Sequence, residues 1–161
     1  MELPAISLDL PDEAATVRLA AAMAAVVRPG DTIALSGDLG AGKTSFARAF
    51  IRALAADPRL EVPSPTFTFV QTYGDGRIPV RHFDLYRLAA VADLEEIGFT
   101  DDLAAAESVT LVEWPERADG MMPRGALGLR LDMAGPGRTV RLDVPEAWQK
   151  RIAAVVKSAA G

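Results

Sequence analysis

The segment Gly37-Asp38-Leu39-Gly40-Ala41-Gly42-Lys43-Thr44 matches G-x-x-x-x-G-K-[ST] at every constrained position. Glycines at these places let the backbone curl until successive N–H groups point inward at phosphate oxygens. A helix beginning near Lys43, with Ser45 in its first turn, would add the positive end of its dipole. Lys43 is then placed to reach the β- and γ-phosphates, and the Thr44 hydroxyl to ligate Mg²⁺. The chemistry expected of such a loop is the binding and cleavage of a nucleoside triphosphate. The chain contains no asparagine, so the Asn-Lys-x-Asp element that reads guanine is missing, and ATP is the expected nucleotide.

A phosphate-binding loop of this kind needs a carboxylate near the metal, at the end of a neighbouring strand. Two residues qualify on chemistry alone: Asp84, which ends VRHFD, and Glu113, which ends VTLVE. The residues alone do not divide the roles of metal ligand and base between them. His82 is the only histidine and reads as a structural residue within a strand.

The elements that must carry these groups are legible in outline. Residues 3–8 read as a short opening strand, and Pro11, Asp12 and Glu13 as a helix start with acidic charge at the positive end of the dipole. Leu19, Met23 and Val26/Val27 give that helix an apolar stripe that Arg28-Pro29-Gly30 ends. Residues 31–35 form a short apolar run expected to be a buried strand feeding the glycine-rich loop. Phe46, Ala47, Phe50, Ile51 and Leu54 then recur at helical spacing up to Asp57-Pro58. Residues 67–73 (FTFVQTY) alternate and predict a strand, with 78–85 returning from a turn at 74–76.

The acidic stretch 93–106 predicts short helices with a solvated face. Residues 108–114 predict a further buried strand, and the segments on either side of Gly135-Pro136-Gly137 predict a hairpin. A last helix from Pro145 is expected to turn Trp148, Ile152 and Val156 inward. Alternating strands and helices with added hairpins predict a three-layer α/β/α domain on a mixed central sheet, P-loop NTPase-like, occupying 1–161 as one unit.

Half the residues are apolar and the formal charge is −5, from 17 basic and 22 acidic side chains. Gripping nucleic acid draws on a basic excess, so autonomous nucleic-acid binding is not expected. There is no cysteine, which removes disulfides and thiolate metal sites from consideration. The N-terminus lacks a basic region and an apolar run of signal length, and no stretch approaches the roughly 20 apolar residues of a membrane span. A cytoplasmic protein with no membrane association is the expectation.

Four blocks in order, GDLGAGKTSF, SPTF (64–67), HFDLYRL (82–88) and LVEWPER (111–117), resemble the TsaE (YjeE) family, the small ATPases of bacterial tRNA threonylcarbamoyladenosine synthesis. The resemblance runs from about Thr16 to about Val144 and implies ATP and Mg²⁺ as cofactors. It implies Thr44 and Glu113 as the Mg²⁺ ligands, Glu113 directly or through water, and Asp84 as the acidic residue near the γ-phosphate. Thr66 is similar to a switch-like position facing the γ-phosphate, and Trp114 to a tryptophan beside the site. Thr16 and Arg138 resemble positions near the nucleotide. The resemblance further implies TsaD and TsaB proteins as partners, with tRNA reached only indirectly through that complex. ATP turnover would then reset the complex between cycles, with weak activity alone. Two alternatives share the loop: a small-molecule kinase, for which 117–124 is the one available lid segment, and a non-catalytic nucleotide-dependent docking protein.

Overall fold

The computed structural model describes residues 5–65, 67–74, 76–118 and 120–160. Thr66, expected near the γ-phosphate, lies outside the described residues, as do positions 3 and 4 of the expected opening strand. The strands are β1 (Ala5–Leu10), β2 (Thr32–Ser36), β3 (Val70–Tyr73), β4 (Val80–Asp84), β5 (Val109–Glu113), β6 (Leu127–Ala134) and β7 (Gly137–Asp143). The helices are α1 (Glu13–Val26), α2 (Lys43–Ala55), α3 (Asp93–Glu96), α4 (Phe99–Ala104) and α5 (Gln149–Ala160), with single 3₁₀ turns at Pro115–Ala118 and Glu146–Trp148.

The strands form one mixed sheet in the order β1-β7-β6-β2-β5-β4-β3. Its middle is parallel, β2 lying between β6 and β5 and β5 between β2 and β4, while β3, β7 and β1 add antiparallel edges. β5 is buried at every position, as a central parallel strand covered on both faces must be. One face carries α1, α2, α5 and the 3₁₀ turn that precedes α5, which pack Leu19, Met23, Phe46, Phe50, Ile152 and Trp148 against Ile33, Leu111, Leu129 and Val140 of the sheet. The other face carries α3, α4 and the first 3₁₀ turn over β4 and β5, around Phe83, Leu94, Phe99 and Val112. Rings of Phe83 and Phe99 meet edge to face at 5.0 Å. This is the expected α/β/α layering, with the acidic side chains of 93–102 mostly outward and Leu94 and Phe99 inward.

Local signals explain most boundaries. Asp12 caps α1, its carboxylate accepting from the Ala15 N–H at 2.8 Å. α2 begins directly from the glycine loop, and its buried face is Phe46, Ala47, Phe50, Ile51 and Leu54; each large apolar side chain contributes about 1.5–3 kcal/mol by burial. One expectation needs correction. The strand predicted over 67–73 begins only at Val70. Phe69 adopts φ +65° and turns its N–H to the carbonyl of Pro65, which breaks the extended run. At the C-terminus the expected inward face is present: Trp148 and Ile152 are buried, Val156 packs partly buried against the same core, and Val155 joins them. No helix among the described residues is long and apolar enough to cross a membrane.

Candidate functional site

Strands β2, β4 and β5 run parallel, so their C-terminal ends share one edge, where ligands of open α/β sheets bind. Their register aligns Leu35 with Glu113 and Glu113 with Asp84. The chain leaving β2 turns at Gly37, which has φ +137°; a Cβ there would lie 2.2 Å from the carbonyl oxygen of Leu131. Only glycine lets the loop pass this close to β6. Gly40 and Gly42 also take positive φ, and Gly42 is the residue from which α2 starts.

Lys43 is buried, and its ammonium donates to the carbonyls of Gly37 at 2.6 Å and Asp38 at 2.8 Å. The ring of Trp114 covers it at 4.1 Å. Burial lowers the Lys43 pKa, and the carboxylates of Glu113, Glu116, Asp84 and Asp38 oppose that shift. Trp114 itself sits at φ +59° and packs against Tyr86 at 4.8 Å between ring centroids.

The Thr44 hydroxyl donates to Glu113 Oε1 at 2.8 Å, and the other oxygen of Glu113 lies 2.6 Å from His82 Nε2. Glu113 and His82 are both buried. Asp84 accepts at one carboxylate oxygen from the Ser64 hydroxyl and at the other from the Tyr86 N–H, each at 3.1 Å. A cavity of about 400 Å³ opens between the loop and these strand ends, lined by Lys43, Thr44, Asp84, Arg87, Glu113 and Trp114 among others.

The donor set fits Mg²⁺ rather than a metal bound by protein alone. No group of three or more His, Cys, Asp or Glu among the described residues could hold a metal. A hydroxyl and a carboxylate oxygen 2.8 Å apart are hard donors, suited to a cation that keeps waters and takes further ligands from phosphates.

Thr16 and Arg138 lie elsewhere along the loop. Both line a second cavity, of about 230 Å³, which shares Gly42 and Ser45 with the first and is closed by Leu10, Leu131 and Pro136. Arg138 does not point freely into this space. Its guanidinium donates to the carbonyls of Ala41 (3.0 Å), Gly137 (2.8 Å) and Gly40 (3.3 Å), tying β7 to the loop. Leu39 and Asp38 are exposed at the loop tip, and Ala41 is buried beneath it.

The fold thus brings Leu39, Gly40, Gly42, Lys43, Thr44 and Ser45 together with Asp84, Glu113 and Trp114 around one cavity, and sets Thr16, Ala41 and Arg138 in its neighbour. Gly37 and Asp38 act through the path of the loop and their carbonyls on Lys43. Sequence reasoning passed over His82 and Ser64. Alternation was the usable signal for His82: two residues before Asp84 on one strand, it must project on the same face. Ser64 carried no such signal, because its approach to Asp84 depends on an irregular segment.

The family model described as threonylcarbamoyl adenosine biosynthesis protein TsaE matches residues 10–140. The tRNA threonylcarbamoyladenosine biosynthesis protein TsaE of Bacillus subtilis is 38% identical over 120 residues, covering 74% of this chain and 73% of that one. Its counterpart in Haemophilus influenzae is 33% identical over 138 residues, covering 83% and 85%. That of Rickettsia felis is 38% identical over 109 residues, covering 68% of this chain and 62% of its own length. The crystal structure of Bacillus subtilis YdiB superposes with a TM-score of 0.77 at 27% identity, over 98% of this chain and 97% of that one. By the span of the family match and these identities, the chain belongs to the TsaE family of threonylcarbamoyl adenosine biosynthesis proteins.

Proposed function

We propose that the chain binds ATP at the loop following β2 and hydrolyses it, as the ATPase of the machinery that places threonylcarbamoyl on N6 of adenosine 37 in tRNA. One observation supports this reading above the others: Thr44 and Glu113 meet at 2.8 Å beneath the loop, with Asp84 in register beside Glu113. The loop amides from Gly37 to Ser45 would cradle the phosphates, and Lys43 would exchange its two carbonyl partners for β- and γ-phosphate oxygens. Thr44 and Glu113 would hold Mg²⁺, which would supply charge neutralisation during phosphoryl transfer. Asp84, fixed at both oxygens, would orient the attacking water, while Trp114 keeps the ammonium shielded from bulk solvent. Thr66 is assigned to the γ-phosphate side, and Thr16 with Arg138 to the end of the nucleotide that lies in the second cavity.

The partners in this reading are the TsaD and TsaB proteins, with turnover resetting their complex in the cytoplasm and tRNA met only through them. Exposed Leu39, Phe67 and Tyr86 beside the loop suit a site completed by a partner. The test is ATP hydrolysis by the purified protein, alone and with TsaD and TsaB, beside Lys43→Ala. Slow turnover that rises when both partners are present and disappears in the variant is expected. Turnover indifferent to the partners contradicts the proposed setting, and turnover that survives Lys43→Ala contradicts the site.

A further inference from the structure

His82 takes no part in the cycle above, yet it is fully buried against a residue that does. It lies on β4 two residues before Asp84, and its register partner on β5 is Leu111, two residues before Glu113. All four side chains therefore leave their strands on the face that carries α2. His82 Nε2 lies 2.6 Å from Glu113 Oε2, while Glu113 Oε1 accepts from the Thr44 hydroxyl. The carboxylate is held at both oxygens, one from the sheet and one from the helix that follows the loop. His82 Nδ1, by contrast, is buried without a hydrogen-bond partner. Leaving a polar atom unpaired opposes folding, and an apolar residue would fill the space without that penalty. Packing alone gives no reason for histidine here, whereas its contact with Glu113 does.

We propose that His82 is a positioning residue for the metal site. Its Nε2–H donates to Glu113 Oε2 and fixes the carboxylate plane, so that Oε1 stays aimed at Thr44 and at the cation of a bound nucleotide. Partners of this kind behind a ligating group set its orientation and its affinity for metal. The inference rests on the reading of Thr44 and Glu113 as metal ligands.

The test measures affinity for the non-hydrolysable analogue β,γ-imido-ATP by calorimetry, in excess Mg²⁺ and in EDTA, and takes the ratio as the metal coupling. Wild type, Glu113→Gln, His82→Leu and His82→Gln are compared, with circular dichroism to establish folding. His82→Leu should keep its EDTA affinity within about twofold while the metal coupling falls about tenfold. His82→Gln, whose amide can still donate to Glu113, should retain most of the coupling. If the leucine variant does not fold, His82→Met, unbranched and adaptable, replaces it. Wild-type coupling in the apolar variant, beside a loss in Glu113→Gln, overturns the inference and leaves the metal reading standing. Equal losses in folded His82→Gln and the apolar variant also overturn it, since shape and not the hydrogen bond would then matter. A wild type without metal coupling overturns the metal reading and the inference with it.

Discussion

In the proposed phosphate site, Lys43 joins two demands that pull in opposite directions. Its ammonium must be desolvated to act strongly on phosphate, and desolvation favours its neutral form. Burial lowers its pKa even against the nearby carboxylates of Glu113, Glu116, Asp84 and Asp38. The unfolded chain therefore keeps this proton to higher pH than the folded one. Between the lowered value and the ordinary 10.5, Lys43 makes stability rise with pH, while phosphate binding loses its cation. ATP affinity should weaken on the alkaline side before an ordinary lysine would titrate. Lys43→Arg, which stays charged, should show no such weakening, whatever its affinity at neutral pH. Affinity of the wild type that stays flat up to 10.5 contradicts this account. At this scale the loop was legible because each position has a backbone or charge requirement that few residue types meet. His82 was not, because its role depends on a carboxylate 31 positions away.

Elements were readable where one periodicity ruled them. The stripe of α2 and the β-branched, mostly apolar run of β5 needed no tertiary information. The segment before β3 was misread because alternating aromatic and polar residues suit a strand, while the actual path is set by one local and one longer-range backbone bond. Phe69 donates its N–H to Pro65 and accepts at its carbonyl from the N–H of Asp84 at 3.0 Å. This bend leaves Phe67 exposed beside the site instead of in a ladder. Arg151 shows a second kind of dependence on tertiary structure. It pairs with Asp31 at 2.6 Å, donates to the Val26 carbonyl at 3.2 Å and lies 3.8 Å over the Trp148 ring. One side chain thereby ties α5 to the end of α1 and the start of β2. Arg151→Ala leaves the largely buried Asp31 carboxylate without its charged partner, with only the Arg28 N–H still donating to it, and should cost about 3 kcal/mol in urea unfolding. A loss below about 1 kcal/mol would mark the pair as an ordinary exposed one.

Across the whole molecule, function follows from strand order. Placing β2 between β6 and β5, with β4 beyond β5, sets Ser36, Glu113 and Asp84 along one edge of the sheet. The layered class was legible from alternation of elements, but the order of strands was not, since pairings such as β2 with β6 join segments far apart in sequence. Net charge belongs to this scale too: at −5, the chain's own field does not favour a polyanion, in keeping with the proposal that tRNA is met through partners. At this edge the proposed chemistry is hydrolysis of ATP, with the β4 carboxylate directing water. It is tested most directly by comparing wild type with Asp84→Asn in the presence of TsaD and TsaB, measuring ATP affinity and turnover on the same preparations. Asp84→Asn should bind ATP with nearly unchanged affinity and turn it over about 100-fold more slowly; equal turnover in the two proteins would rule out a water-directing role for Asp84.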